Sequence, residues 1–143
     1  DLINLIDLIN LNSKSEARKP KQMQMTINNK QYDLEDRTNL FAKKCREFVK
    51  KLPKTIGNIE DGKQLVRSSG SVGANYIEAN EALSKKDFIM RAKICRKEAK
   101  ESRYWLSLVD ISGKEELEAE RKALFQEATE LQNIFGSIIR KSE

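Results

Sequence analysis

The stretch SKKDFIMRAKICRKEAKESRYWLSLV, residues 84–109, decides the fold. Its apolar and small residues fall at Phe88, Ala92, Cys95, Ala99, Ser102, Leu106 and Val109, in alternating steps of four and three. That spacing lines one face of an α-helix and lacks the period of two that marks a strand. Ser84 and Asp87 stand three residues apart at its start, as in a capping box, where the hydroxyl caps the first turn and the acid reaches back.

The same spacing recurs on both sides. Upstream it gives Phe41, Cys45, Phe48 and Leu52, halted by Pro53, and then Leu65, Ser69, Val72, Tyr76, Ala79 and Leu83. Proline disfavours helix at the residue before it. Downstream it gives Leu117, Leu124, Ala128, Leu131, Phe135 and Ile138. Gly113 is expected to close the third segment, and Glu115, Glu116 and Glu118 favour the positive end of the fourth helix dipole. The reading is four helices over about 36–52, 58–83, 85–110 and 114–141. Links of a few residues force neighbouring helices to run antiparallel. The expected fold class is therefore all-α, an antiparallel up-and-down four-helix bundle over residues 31–143.

Residues 1–30 read differently. They open with an imperfect hexapeptide repeat, DLINLIDLINLN, followed by the polar, basic NSKSEARKPKQMQ containing Pro20. This is expected to be a flexible N-terminal extension and linker. Met25, followed by TINNKQYDLEDRT, makes a natural start, which sets residues 1–24 apart as an extension. The costly exposure of the Leu and Ile residues supports a second reading, an amphipathic arm that docks on a partner or membrane surface.

Composition excludes several chemistries. With 143 residues the chain can bury about two thirds of its unfolded surface and needs no metal or disulfide staple. It has two cysteines and no histidine, so a conventional zinc site and every Ser-His or Cys-His nucleophile are ruled out. Cys45 and Cys95 occupy core-facing positions and read as buried thiols. Tyr104 and Trp105 are expected to pack in the bundle or at an interface. No apolar run reaches 18 residues, so no membrane span is expected. The absence of a secretory signal and of a disulfide framework places the protein in the cytoplasm. No enzyme, cofactor or metal function is expected.

Charge is distributed unevenly. Residues 36–54 carry seven Lys/Arg against two Asp/Glu, and residues 84–109 carry eight against three. Residues 58–83 carry two against four, and residues 110–143 five against eight. Helices one and three are thus basic, and helices two and four acidic. Lys43, Arg46, Lys50 and Lys54 share one side of the first basic segment. Lys86, Lys93, Lys97 and Lys100 share one side of the second, with Arg96 and Arg103 close by. Such stripes can bind a phosphate backbone by releasing its counterions. Equally, they can pair with the acidic helices and present a solvated face. No aromatic interleaves with the lysines on this reading, so base stacking has little support.

The second helix contains RSSGSVGAN, residues 67–75. A glycine inside a helix costs about 1 kcal/mol relative to alanine. Two of them, Gly70 and Gly73, point to a close helix–helix approach, within one protomer or between protomers. Arg67, Ser68, Gly70, Ser71, Gly73, Ala74, Asn75 and Glu78 form the candidate contact set. Gly70-Ser71-Val72-Gly73 also matches the bare GxxG of KH loops, but no strands surround it. No Gly-Lys-Ser/Thr follows, as a phosphate loop requires. Glu78 and Glu81 lack the histidines of a di-iron bundle site.

The span RSSGSVGANYIEANEALSKKDF, residues 67–88, resembles the bacterial four-helix-bundle proteins known as ribosomal or rRNA intervening-sequence proteins. The resemblance lies in Arg67, Ser71-Val72, Asn75, Glu78, Ser84 and Asp87-Phe88, and extends over most of residues 32–110. It implies an antiparallel bundle assembled as a ring-shaped homopentamer, often encoded within large-subunit rRNA genes, with no catalytic residues. The accessory protein of diversity-generating retroelements looks similar in fold and is associated with nucleic acid and a reverse transcriptase. Tyr76, where the family commonly has Ile, the strongly charged third helix and the N-terminal extension depart from the pattern. The expected function is a non-catalytic, oligomeric, RNA-associated binding protein acting through helices one and three. The alternative is a ring-forming scaffold that binds a protein partner.

Overall fold

The structure, a computed structural model, describes residues 34–143, which form four α-helices. These are α1 (Leu34–Lys51), α2 (Ile56–Asn80), α3 (Lys85–Leu108) and α4 (Glu115–Ser142). Each packs on the next, and α4 returns to α1 with the sparsest contact of the four. The result is an antiparallel up-and-down bundle in cyclic order, as the short links require. The extension over residues 1–30 lies outside the described residues.

Local chemistry explains the helix ends. Pro53 lies two residues past the end of α1, and the Thr55 hydroxyl caps α2 by accepting from the Asn58 amide at 3.0 Å. The Ser84 hydroxyl caps α3 by accepting from the Asp87 amide at 3.0 Å. Two expectations need correction at these ends. Helix α2 stops at Asn80, and Leu83, expected in the core, is 98% exposed. The link must reverse the chain within residues 81–84, and Ser84 is already extended for its capping role. Gly113 does not close α3, which ends at Leu108. It sits in the following link at φ +71°, a left-handed conformation that glycine adopts without a Cβ clash.

The core follows the four-and-three pattern. Phe41, Cys45 and Phe48 of α1 meet Leu65, Val72 and Tyr76 of α2, Phe88, Cys95 and Leu106 of α3, and Leu131, Phe135 and Ile138 of α4, all almost fully buried. The rings of Tyr76 and Phe135 cross the centre edge to face, with centroids 5.7 Å apart. Both thiols are free and buried, and burial pushes each up to about 12, so they stay protonated and unreactive at neutral pH.

One buried polar residue joins the two links at one end of the bundle. The Asn58 amide donates to the carbonyls of Pro53 (2.9 Å) and Asp110 (2.8 Å), and its oxygen accepts from the Asp110 backbone N–H (2.8 Å). The side chain thereby satisfies both loops where neither has a helical partner.

Candidate nucleic-acid interface

The cyclic order places α1 and α3 at opposite corners, each between the two acidic helices. Unlike-charged helices are neighbours and like-charged helices are diagonal. The ten candidate cations therefore divide between two separate sides of the bundle and do not form one continuous surface.

The α1 ridge is engaged in part, chiefly by residues outside the candidate set. Arg37 forks onto Glu127 of α4 at 2.7 and 2.9 Å and reaches Glu130 at 2.7 Å. The Glu127 hydrogen bond raises the Arg37 pKa. Lys51 meets Glu120 at 3.1 Å. On the other flank, Lys50 pairs with Glu47 at 3.0 Å. Arg46 bends over α2, donating to the Ala42 carbonyl at 3.2 Å and covering Gly70. Lys43 is exposed. Lys54 is also exposed but lies in the link after Pro53, beyond the end of α1.

The α3 ridge is more open. Lys86, Lys93, Lys97 and Lys100 are all exposed and follow one stripe along the outward face. Lys93 lies 3.8 Å from Glu143, and Lys97 lies 3.9 Å from Glu98. At such distances, and with both lysines exposed, these pairs hold the lysines only loosely. The carboxylates bordering the stripe are drawn towards α2 instead. Arg67 meets Glu101 at 3.0 Å and Glu98 at 3.7 Å. Glu98 is almost buried, and desolvation, aided by Glu101, raises its pKa. Arg96 and Arg103 do not join the stripe. Both are half-buried on the α4 side, where Arg103 donates to Gln132 at 2.9 Å and stacks 4.7 Å above the Phe125 ring. They stand seven residues apart and so share a flank, and α4 occupies that flank.

No aromatic interleaves with the four lysines, but one stands at the end of their stripe. Tyr104, four residues after Lys100, is 56% exposed, whereas Trp105 is half-buried beside it. Tyr104 thus stays largely outside the bundle packing expected for the pair, and its spacing of four from Lys100 is the sequence signal for its place on the stripe.

The small-residue set of α2 serves both neighbouring helices. Ser68 and Ser102 hydroxyls are 2.8 Å apart in the buried α2–α3 seam, and Cys95 donates to the Val72 carbonyl. Gly73 faces α1: a Cβ there would stand 2.9 Å from Thr38 Oγ1. That hydroxyl is held in place by bonds to the Leu34 and Glu35 carbonyls. Asn75 donates to the Ser71 carbonyl and accepts from Arg91 of α3. Ala74 and Glu78 are exposed, outside both seams. Gly73→Val is expected to destabilise the fold by about 1–3 kcal/mol through overpacking. Adding Thr38→Ala should recover part of that loss in chemical denaturation, and a purely additive double variant would contradict the contact.

Among the described residues no group of three or more His, Cys, Asp or Glu could hold a metal ion. Nor is any described helix long and apolar enough to cross a membrane.

A four-helix interior built mainly of apolar residues, two links joined by the buried Asn58 and helices of alternating charge define the molecule as a small antiparallel helical-bundle protein. The chain belongs to the 23S rRNA-intervening sequence protein family, whose profile matches residues 30–137. It is similar to the crystal structure of a protein of unknown function from the S23 ribosomal protein family of Bacteroides thetaiotaomicron. The two share 32% identity and a TM-score of 0.64 over 74% of this chain and 97% of the other. No curated protein matches the chain.

Proposed function

We propose that this protein is a non-catalytic, oligomeric binding protein of the cytoplasm that associates with RNA through its cationic ridges. The observation that carries this reading is the stripe of Lys86, Lys93, Lys97 and Lys100, exposed on α3 and only weakly paired. Membership of a family named for rRNA intervening sequences supports it. The α3 ridge makes the main contact, because its four lysines line one face of one helix, whereas on the α1 side Lys50 is paired, Arg46 folds over α2 and Lys54 lies beyond the end of the helix. Assembly into a homopentamer, which the family resemblance implies, repeats the stripe around a ring, so weak single contacts add by avidity. Contacts to phosphate alone carry little sequence preference.

The test is fluorescence anisotropy with a labelled RNA over a salt series, alongside light scattering of the protein alone. Binding at low salt that fades while the particle size holds is the expected result. A particle that dissociates with salt and binds no RNA would favour the scaffold reading. In that case the ion pairs of the type seen between α1 and α4 also join subunits.

A further inference from the structure

The outward face of α3 carries more than charge. Read along the helix, its stripe runs Lys86, Met90, Lys93, Lys97, Lys100, Tyr104, with Met90 51% and Tyr104 56% exposed. Successive members are three or four residues apart, which is roughly 4.5–6 Å along the axis at 1.5 Å per residue. The Tyr104 ring is braced on one side. Trp105 meets it edge to face, with centroids 5.0 Å apart and planes at 68°, and is itself packed against the core. More than half of Tyr104 stays exposed beside that contact, and it ends the row of exposed lysines.

We infer that the α3 ridge binds single-stranded RNA, with an unpaired base stacked on the Tyr104 ring and the adjoining phosphates along Lys100, Lys97 and Lys93. This rests on the RNA-binding reading above and narrows its ligand class. A duplex can satisfy the lysines, but its bases are stacked on one another and offer no free face away from the ends. A single strand offers both, and stacking on aromatics beside a cationic track is how such strands are held without sequence readout. Arg67 contributes indirectly, as a positioning residue. By pairing with Glu98 and Glu101 from the α2 side, it offsets the two carboxylates that border the track.

The test compares a 12-nucleotide oligouridylate with a 12-base-pair RNA duplex at low salt, binding each to the wild type, Tyr104→Phe and Tyr104→Ala. Tyr104→Ala should weaken the single strand about tenfold, equivalent to about 1.4 kcal/mol, and leave the duplex nearly unchanged. Tyr104→Phe, which keeps the ring, should bind as the wild type does. The chain has one tryptophan, so oligouridylate binding should also change Trp105 emission, and that change should vanish in Tyr104→Ala. Equal losses on both RNAs, or an undiminished single-strand affinity, overturn the proposal while salt-sensitive RNA binding as such survives. A Tyr104→Ala particle of altered size with unaltered RNA affinity also overturns it and assigns the ring to a contact between copies. Failure of the wild type to bind either RNA at low salt overturns both this proposal and the broader one.

Discussion

Asn58→Ala is expected to destabilise the bundle by about 3 kcal/mol, although it removes no apolar contact of the core. Its side chain makes three hydrogen bonds to backbone groups of two different links, and the residue is only 4% exposed. Truncation leaves the Asp110 carbonyl and N–H without their partner and takes one of two donors from the Pro53 carbonyl, which keeps the Thr55 N–H at 3.0 Å. Each buried group left unpaired costs about 1–3 kcal/mol when it is not rehydrated. Water entering at the end of the bundle recovers part of this, which sets the estimate near the lower end of the sum. For a chain of this length the loss corresponds to a fall in thermal midpoint of about 10 °C. Asn58→Asp should be no better. It keeps an acceptor for the Asp110 N–H but sets a carboxylate against the Pro53 and Asp110 carbonyls. Chemical denaturation with an unchanged slope and a lowered midpoint is the expected readout. A loss below about 1 kcal/mol in both variants would show that the links hold their geometry without this staple.

The second large effect concerns the surface. Replacing Lys93, Lys97 and Lys100 together with Glu should lower RNA affinity at least about 100-fold at low salt, or about 2.7 kcal/mol. The substitutions turn three phosphate-binding charges into three repelling ones on a stripe where Glu98 and Glu101 already border the track. All three lysines are exposed, so the fold should survive with its helical content intact. A modest loss of stability is expected, because Lys97→Glu adds a like charge beside Glu98 and Glu101. The matching reversal of Lys43, Lys50 and Lys54 on the α1 side should cost clearly less affinity. Equal losses from the two sets would show that general charge, and not the α3 ridge, governs binding.

Most of the fold was legible because core positions obey a local rule. Phe88, Cys95 and Leu106, or Leu124, Leu131 and Ile138, show their burial through spacing alone. The caps at Ser84 and the stop at Pro53 are likewise local. Leu83 kept the helical phase but fell where the chain must turn, and a link's length overrides periodicity there. Asn58 gave no signal, since its main partner lies 52 residues away in another loop. The charge alternation could be read from segment sums, whereas its consequence could not. Which flank of α3 meets α4 is a tertiary fact, and it removed Arg96 and Arg103 from the free surface while leaving Tyr104 on it. Gly73 was marked as a close approach, and only the packing shows that its neighbour is Thr38.

The central claim, that an exposed lysine stripe binds RNA phosphates, is tested most directly by the slope of log affinity against log salt for an unstructured single strand. Four phosphate contacts, one for each of Lys86, Lys93, Lys97 and Lys100, give an expected slope of about −3 for each protomer engaged, or roughly a 50-fold loss between 50 and 200 mM salt. Reversal of Lys93, Lys97 and Lys100 should remove most of that slope along with the affinity. A slope near zero, or no binding at 50 mM salt, would contradict the account.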